Sequence, residues 1–382
     1  MGSRASSRSR CESARSRTRS HGCGNATTFR RRNAPRSIGG STSCSGARSL
    51  RCASRRAQGV GERAPCDQIR TRGHHGPLSV PILDDEVRRR LTARFGAEIG
   101  SWWDELPNVL GALAERWRVE WGPIIPRGTM SVVIRCRMPD GRPAVLKVSP
   151  DRLRLVNEAA ALGKWMTVHT PSVLAVDESV GALLMEAIEP GTPLVESQTY
   201  PDVETTANLL TSLHADGVPD PSYPLLAQRV AHLFNSGTNP YERHPELLEL
   251  IPRELYERGR RLAARLAESV PPAALLHGDL TPSNILDGGA RRGLVAIDPS
   301  PCLGDDAAFD AIDLLLWQAD DVDTIVARAN LLGPAIGAET SHVVEWCTAF
   351  AAMIALEVAE SPDAAPDRVE TYMALAAQAP KD

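Results

Sequence analysis

Apolar and polar positions follow two different periods along the chain. Up to about residue 188, short runs of alternating apolar and polar residues stand between turn sequences such as Pro-Asp-Gly-Arg, which predicts β-strands. Longer amphipathic segments predict two helices before the strands, with Asp84 and Asp85 as caps of the first, and one helix among them. The strands are expected at 118–125, 130–136, 143–148, 172–179 and 182–188, and the helices at 84–95, 102–117 and 151–166.

The second half of the chain is mostly helical in pattern. Short strands interrupt it only near Leu275, Ile285 and 293–298, and helices are expected at 202–215, 225–234, 245–268 and in several segments after Asp310. A strand-rich part followed by a helical part predicts an α+β fold with two lobes. We place the nucleotide-binding lobe and its N-terminal helices at 78–188 and the helical lobe at 189–382.

Residues 1–77 follow neither pattern. They hold seventeen arginines, no lysine and three acids, for a formal charge of +14, whereas the whole chain carries −4 and residues 78–382 therefore −18. Because the segment has almost no aliphatic residues, we expect it to be disordered. It is typical of a transit peptide, of a basic tail for nucleic acid or membrane, or of translation upstream of the true start. The last is preferred because amphipathic patterning begins abruptly near residue 78, and we expect its removal to leave folding and activity unchanged.

Several classes of protein are disfavoured by composition. The chain has no run of eighteen apolar residues, so we expect a soluble, cytoplasmic protein without a membrane partner. We also expect it to be a monomer. The acidic folded part and its few aromatic residues disfavour nucleic acid as a partner. Outside the tail, Cys136, Cys302 and Cys347 lack metal-ligand spacing, and Cys302 is expected to be a small apolar filler.

The segment 275–286, LLHGDLTPSNIL, concentrates polar residues between two apolar runs. It contains His277, Asp279 and Asn284, and Asp298 follows fourteen residues after Asn284. A hairpin between Ile285 and Val295, turned by Asp287-Gly288-Gly289, is expected to fold Asp298 back beside Asn284. This spacing is typical of kinases, in which the first aspartate accepts the hydroxyl proton. Asn284 and Asp298 offer the hard oxygen atoms that Mg²⁺ prefers. Turns and helix caps explain any one of these residues but not all four at these offsets, so the segment predicts phosphoryl transfer.

A kinase also needs a lysine for the nucleotide phosphates and a glutamate that holds it. Lys147 lies in the apolar strand PAVLKV, where an unpaired ammonium group would be costly. Glu158 follows eleven residues later in a predicted helix. We therefore expect these two side chains to form an ion pair.

Two further segments could surround a nucleotide. The loop PRGTMSVV offers backbone N–H groups and the hydroxyls of Thr129 and Ser131, although it has one glycine rather than a full glycine-rich motif. The end of the last predicted strand, LLMEAIEPG, stands where a kinase places its hinge. Backbone groups of Glu186 and Ile188 could bond adenine there, with Met185 either packing on the pocket or filling the core.

In order, Lys147, Glu158, LLMEAIEPGTPL, HGDLTPSNIL and AIDPSPCLGD resemble the aminoglycoside/hydroxyurea antibiotic-resistance kinases, in particular the streptomycin 6-phosphotransferase branch. The resemblance covers roughly residues 80 to 380. The Asp-Pro at 298–299 is similar to that branch, whereas the His-Arg-Asp and Ala-Pro-Glu segments of protein kinases are missing from the sequence. The resemblance implies a two-lobed protein-kinase-like fold with ATP and Mg²⁺ as cofactors.

The resemblance also implies the role of each site residue. Asp279 is expected to be the base and His277 to brace its loop. Asp310 and Asp313 could line the acceptor pocket or cap the next helix, and capping is preferred. The remaining roles are nucleotide binding by Lys147, oriented by Glu158, and Mg²⁺ binding by Asn284 and Asp298.

The acceptor is less constrained by the sequence. The acidic folded part suits a cationic small molecule such as streptomycin, with its two guanidinium groups, and such a molecule would be attracted to this surface. Hydroxyurea is neutral and remains an alternative, as do choline-like molecules and sugar alcohols. A nucleotide-binding pseudokinase is a further alternative, against which stands the presence of every residue that the chemistry needs.

Overall fold

A five-stranded antiparallel sheet forms the first part of the fold. The computed structural model describes residues 84–128, 130–197, 199–361 and 365–381, so the predicted tail and Thr129 lie outside the described residues. The strands of the sheet are β1 (Glu120–Ile125), β2 (Val132–Arg137), β3 (Pro143–Val148), β4 (Val173–Asp177) and β5 (Ala182–Glu186). They lie in the order β1-β2-β3-β5-β4.

Three helices cover the two faces of this sheet. They are α1 (Asp85–Phe95), α2 (Gly100–Trp117) and α3 (Arg152–Leu162). The predicted cap of α1 is confirmed, because the Asp84 carboxylate accepts a hydrogen bond from the N–H of Glu86. Leu146 and Val148 of β3 pack in one buried cluster with α1 and α2. Since neighbouring side chains of a strand point to opposite faces, Lys147 points to the other face, on which α3 packs.

The second part of the fold is helical around one large apolar core. Its helices are α4 (Val203–Asp216), α5 (Leu226–Ser236), α6 (Asn239–Arg243), α7 (Leu247–Leu250), α8 (Arg253–Glu268), α9 (Gly289–Arg292), α10 (Ala307–Leu316), α11 (Val322–Ala335), α12 (Thr340–Glu360) and α13 (Pro366–Ala376). The predicted α+β fold with a strand-rich first lobe and a helical second lobe is confirmed. The exact lobe boundaries, 78–188 and 189–382, stay predictions.

Helix α12 is long and apolar enough, by length and composition alone, to cross a membrane. Most of its apolar window is buried inside the protein, however, and residues such as Trp346 and Phe350 belong to the main core. Within the described residues no other helix meets the same test. Its burial is that of a core helix.

Two short antiparallel pairs carry the polar segment singled out in the sequence. Strand β6 (Leu275–Leu276) pairs with β9 (Cys302–Leu303), and β7 (Ile285–Asp287) pairs with β8 (Leu294–Ala296). Cys302 is fully buried in this arrangement, as expected of a small core residue. The pairing of β7 with β8 brings the residues after β8 back beside the residues before β7.

Two local predictions were wrong. The helix expected over 245–268 is divided into α7 and α8, because Pro252 between them cannot continue a helical hydrogen-bond ladder. The connection between β7 and β8 is not a tight turn but contains the helical turn α9.

Arg292, in α9, ties this hairpin to the edge of the sheet. Its guanidinium group donates to the carbonyls of Val168 and Thr170, at 2.7 and 2.9 Å, and to the Glu186 carboxylate at 2.8 Å. The N–H of Ala296 adds a bond to the His169 carbonyl at 2.8 Å. The segment leading into β4 is therefore stapled to the hairpin, and we call this the Arg292 staple.

Candidate active site

A buried ion pair in the first lobe confirms the predicted contact between Lys147 and Glu158. The Lys147 Nζ atom lies 2.6 Å from Glu158 Oε1 and 3.0 Å from Asp298 Oδ1. The Lys147 and Glu158 side chains are almost wholly buried, whereas that of Asp298 is one-third exposed. Burial would lower the pKa of Lys147, but the carboxylates of Asp298 and Glu158 outweigh it and raise the pKa, so the ammonium group stays charged.

The polar segment forms a loop, residues 277–284, that we call the catalytic loop. Asn284 donates from its side-chain amide to the Asp279 carbonyl at 2.9 Å and to its carboxylate at 3.2 Å. The N–H of Ile297 donates to the Asn284 carbonyl at 2.8 Å. This bond extends the β7–β8 hairpin and confirms the expectation that Asp298 folds back beside Asn284.

Asp298 adopts a left-handed backbone conformation with φ of +59°. This conformation is unfavourable for a residue with a side chain, and it costs on the order of 1 kcal/mol. Burial would raise the pKa of Asp298, but the neighbouring Lys147 ammonium lowers it below its usual value. The carboxylate is therefore held ionised at the end of the hairpin.

Asp310 braces the catalytic loop, and the expectation that it caps a helix was wrong. The cap of α10 is Asp306, which accepts a hydrogen bond from the N–H of Ala308. One turn later, the buried Asp310 carboxylate accepts from the backbone N–H groups of His277 at 2.8 Å and Gly278 at 2.9 Å. Burial raises the pKa of Asp310 to about 6, although these two hydrogen bonds by themselves lower it. Asp313 likewise caps no helix N-terminus.

His277 is also a structural part of the loop. Its ring is buried, with Nε2 3.1 Å from the Ile297 carbonyl and Nδ1 3.4 Å from the N–H of Asp279. Burial lowers the pKa of His277 to about 4, so the ring is neutral at physiological pH. The contacts agree with the predicted bracing role rather than with a role as acid or base.

A cavity of about 550 Å³ lies between the five-stranded sheet and the β7–β8 hairpin. Its walls include Val133, Val145 and Met185, and its lining contains six of the predicted site residues: Ser131, Lys147, Glu186, Ile188, Asn284 and Asp298. Glu158, His277 and Asp279 are not part of its lining. The N–H of Glu186 donates to the Ser172 carbonyl, so a bond from Glu186 to adenine would have to come from its carbonyl. The roles of these residues in nucleotide binding stay predictions.

The donor set suits Mg²⁺ rather than a metal held by protein alone. Asn284 and Asp298 both border the cavity, and the Asn284 amide nitrogen faces Asp279, which leaves its oxygen for a ligand. Among the described residues no cluster of three or more metal-ligating side chains occurs. Two oxygen donors beside space for phosphates fit Mg²⁺, which usually takes its other ligands from phosphate and water.

Two arginines that the sequence did not single out lie at the site. Arg229, in α5, lies 3.3 Å from Asp279 Oδ1, and Arg154, in α3, lies 3.9 Å from Asp298 Oδ1. Both border a second cavity, of about 530 Å³, between α3 and α5. No local sequence motif identifies either arginine as a site residue, because each is brought to the site only by the packing of its helix.

Further carboxylates approach Asp279 from α10 and α12. Burial raises the pKa of Asp313 to about 8, and the charges of Glu357 and Asp279 add to this. The pKa of Glu357 is raised to about 7 by burial, with Asp279 contributing. Glu357 is nevertheless exposed and Asp313 is partly exposed, so both carboxylates remain accessible to solvent. We call Asp279, Asp313 and Glu357 the acidic cluster.

Comparisons with known proteins agree with this geometry. A family model described as aminoglycoside/hydroxyurea antibiotic resistance kinase matches residues 116–361, so the chain belongs to that family. A hydroxyurea phosphotransferase of Kitasatospora aureofaciens is 29% identical over 284 residues, which cover 72% of this chain and 80% of that protein. A streptomycin 6-kinase of Streptomyces glaucescens is 26% identical over 299 residues, covering 74% and 92%.

Solved structures with a similar arrangement include a choline kinase from Streptococcus pneumoniae. It has a TM-score of 0.49 and 12% identity, and the alignment covers 71% of this chain and 98% of that one. By family membership, the protein is a kinase, that is, a phosphotransferase.

Proposed function

We propose that the protein transfers the γ-phosphoryl group of ATP to a hydroxyl of a cationic small molecule, with streptomycin as the preferred acceptor and its 6-position as the site of phosphorylation. The observation that carries this proposal is the acidic cluster. Besides burial, the charges of Glu357 and Asp279 raise the pKa of Asp313, that of Asp279 also raises the pKa of Glu357, and Asp279 is the predicted base. An acceptor with guanidinium groups would supply the positive charge that these carboxylates favour.

The residues of the chain divide the work in the following way. Asp279 accepts the proton of the acceptor hydroxyl as that oxygen attacks the γ-phosphorus, and the bond from phosphorus to the bridging oxygen of ADP breaks. Lys147 binds the phosphates and Glu158 orients it. Asn284 and Asp298 would hold Mg²⁺, which when bound neutralises part of the phosphate charge.

The first lobe would bind the adenine end of the nucleotide. Glu186 and Ile188 line the 550 Å³ cavity together with its apolar walls, and we call this the nucleotide cavity. The Glu186 carbonyl and the Ile188 N–H would bond adenine there. Ser131 reaches the same cavity from the loop between β1 and β2. Thr129 of that loop is kept as a proposed ligand, although it lies outside the described residues.

The acceptor can be tested through the pH dependence of its binding. Streptomycin keeps its guanidinium charges across the neutral range. The carboxylates of Glu357 and Asp313 gain charge as the pH rises through their pKa values of about 7 and about 8. We therefore expect the KM for streptomycin to fall several-fold between about pH 6 and about pH 9. The KM for hydroxyurea, which is neutral, should stay constant.

Variants make this experiment specific. Glu357→Gln and Asp313→Asn should each flatten the pH dependence of the streptomycin KM, and Glu249→Gln, at an exposed position in α7, is the matched control. Mass spectrometry of the product must show one added phosphoryl group. A pH-independent KM, or no phosphorylated product, would reject streptomycin as the acceptor.

Hydroxyurea is a second candidate, favoured by the 29% identity to the hydroxyurea phosphotransferase. Hydroxyurea is neutral and would need no negative charge from the acidic cluster. The rate of its phosphorylation should therefore be unchanged when Glu357 is substituted. A pseudokinase would bind the nucleotide but consume none. Release of ADP from Mg·ATP in the presence of each acceptor separates these alternatives.

We also propose that the protein acts as a monomer in the cytoplasm and binds neither nucleic acid nor membrane. The net charge of −18 beyond residue 77 supports the last part of this proposal, because it repels nucleic acid and anionic lipid. Size-exclusion chromatography with light scattering tests the oligomeric state, and fractionation of the producing cell tests the compartment.

A further inference from the structure

Arg229 reaches the catalytic loop from the first turn of α5. Its guanidinium Nε donates to the Gly278 carbonyl at 2.8 Å, and Nη2 lies 3.3 Å from Asp279 Oδ1. Its side chain is 13% exposed. One rigid, planar group therefore holds the backbone just before the predicted base and the carboxylate of the base itself.

The backbone around the base is held on its other sides as well. The N–H groups of His277 and Gly278 donate to Asp310, and the N–H of Ser300 donates to the His277 carbonyl at 3.0 Å. Gly278 has φ of +77°, and a Cβ atom there would lie only 2.0 Å from the Ser300 carbonyl oxygen. The Arg229 bond to the Gly278 carbonyl thus completes a loop whose backbone is fixed against its neighbours.

The two oxygens of the base have different partners. Asp279 Oδ1 faces the Arg229 guanidinium, and Oδ2 faces the side-chain amide of Asn284. Rotation of the carboxylate would break both contacts, so its plane is set by two groups from different elements. Removing Asn284 would also affect the metal site, whereas Arg229 does not border the nucleotide cavity.

We propose that Arg229 is a positioning residue that fixes the carboxylate plane of Asp279 towards the acceptor hydroxyl, an inference that rests on the proposed phosphotransfer function. It acts through Asp279 and the Gly278 carbonyl and needs no contact with the nucleotide. A displacement of the base by about 1 Å can lower a rate by about 100-fold. Loss of Arg229 also removes a positive charge beside the acidic cluster, so it does not weaken the binding of a cationic acceptor.

The experiment compares Arg229→Gln, Arg229→Lys and Arg229→Ala with the wild-type full-length chain. Arg260→Gln is the matched control, because Arg260 is exposed on α8 and pairs with Glu257. For each protein, kcat and the KM values for ATP and for streptomycin or hydroxyurea are measured, together with Tm. The assays of Arg229→Ala and of Asp279→Asn are repeated with millimolar guanidinium added.

We expect Arg229→Gln to lower kcat by about 100-fold, with the ATP KM unchanged within about twofold and the acceptor KM unchanged or lower. Arg229→Lys should restore part of kcat through the Asp279 contact. Added guanidinium should raise the rate of Arg229→Ala by about tenfold or more, because it can take the place of the missing side chain beside the Asp279 carboxylate. It should leave Asp279→Asn unaffected, because that variant has no carboxylate to orient.

Two outcomes would overturn the proposal. One is a kcat for Arg229→Gln within about threefold of wild type. The other is a loss of kcat that accompanies a raised ATP KM and a lowered Tm and that guanidinium does not rescue, as expected of a residue that only supports folding. If wild-type protein phosphorylates neither acceptor, the proposed function fails by itself. The slow hydrolysis of Mg·ATP by water, in which water replaces the acceptor hydroxyl, then gives the same comparison of variants.

Discussion

The ammonium group of Lys147 lies 3.0 Å from the carboxylate of Asp298, although 151 positions separate the two residues in the chain. The contact joins strand β3 of the sheet to the residues that follow β8 in the β7–β8 hairpin. Glu158 shares the same ammonium group at 2.6 Å. Because Lys147 is buried, loss of either partner leaves its charge less compensated, which is costly in a poorly solvated site. The two halves of the site therefore depend on each other electrostatically.

The first prediction concerns the proposed metal ligands. Asp298→Ala should lower activity more completely than Asn284→Ala, because a carboxylate both binds Mg²⁺ and offsets its charge, whereas an amide only binds it. Initial rates are measured over a titration of Mg²⁺ in each variant. Asp287→Ala, exposed in the same hairpin, serves as control. Full restoration of Asp298→Ala by excess Mg²⁺ would show that Asp298 is not a direct ligand.

The second prediction concerns the base. Asp279→Asn should fold and bind Mg·ATP normally, because Asp279 is not part of the lining of the nucleotide cavity. It should lose about 100-fold or more of its phosphoryl transfer, because both proton acceptance and orientation of the hydroxyl use this carboxylate. Isothermal titration with nucleotide and a turnover assay measure the two effects, with Asp104→Asn, exposed on α2, as control. Turnover close to wild type would remove Asp279 from the mechanism.

The third prediction concerns the brace of the catalytic loop. Asp310→Ala leaves the buried N–H groups of His277 and Gly278 without their acceptor. We expect it to lower the free energy of unfolding by about 3 kcal/mol and to lower kcat while the ATP KM changes little. Denaturant unfolding and steady-state kinetics measure these effects. Asp323→Ala, exposed near the start of α11, should cost less than about 1 kcal/mol. An equal cost for both variants would contradict the bracing role.

The fourth prediction concerns acid stability. Burial lowers the pKa of His277 to about 4 from an ordinary value of 6.5. Between these values the unfolded chain binds a proton that the native chain does not, so the free energy of unfolding falls as the pH falls through this range. Between about pH 7 and about pH 5 this effect is about 2 kcal/mol.

The variant His277→Gln tests whether His277 causes this fall in the free energy of unfolding at low pH. It can still donate near the Ile297 carbonyl but cannot titrate, so its free energy of unfolding should depend less on pH by that amount. Denaturant unfolding at both pH values gives the comparison, with His232→Gln, at an exposed position, as the matched substitution. An unchanged pH dependence in His277→Gln would show that the buried ring does not control acid stability.

Much of the fold could be predicted because its signals are local. The strand holding Lys147 and the loop holding Asp279 and Asn284 are each defined by a few neighbouring residues. Asp298 could be placed because a short hairpin must return the chain to its starting point. The division of the helix expected over 245–268 shows the limit, since Pro252 was present in the sequence but the amphipathic pattern continued past it.

The rest of the site depends on long-range packing. Arg229 lies 50 positions before Asp279, and nothing in its neighbourhood distinguishes it from other helical arginines. Glu357 joins the acidic cluster only because α12 packs beside α10. Asp310 was assigned to the wrong role because α10 begins at Ala307 and has its own cap in Asp306. Sequence periodicity places a residue on a face of a helix but does not say which loop that face meets.

The Arg292 staple determines how the two lobes can move. Its four bonds lie on one side of the nucleotide cavity, at Val168, Thr170, Glu186 and the neighbouring pair of His169 with Ala296. Any separation of the lobes must either break these bonds or rotate about the line that they define. When one lobe rotates about the Arg292 staple, a small angle of rotation displaces most strongly the atoms that lie farthest from the staple. The mouth of the cleft can thus widen for exchange of ligands while the β7–β8 hairpin keeps its distance from Glu186.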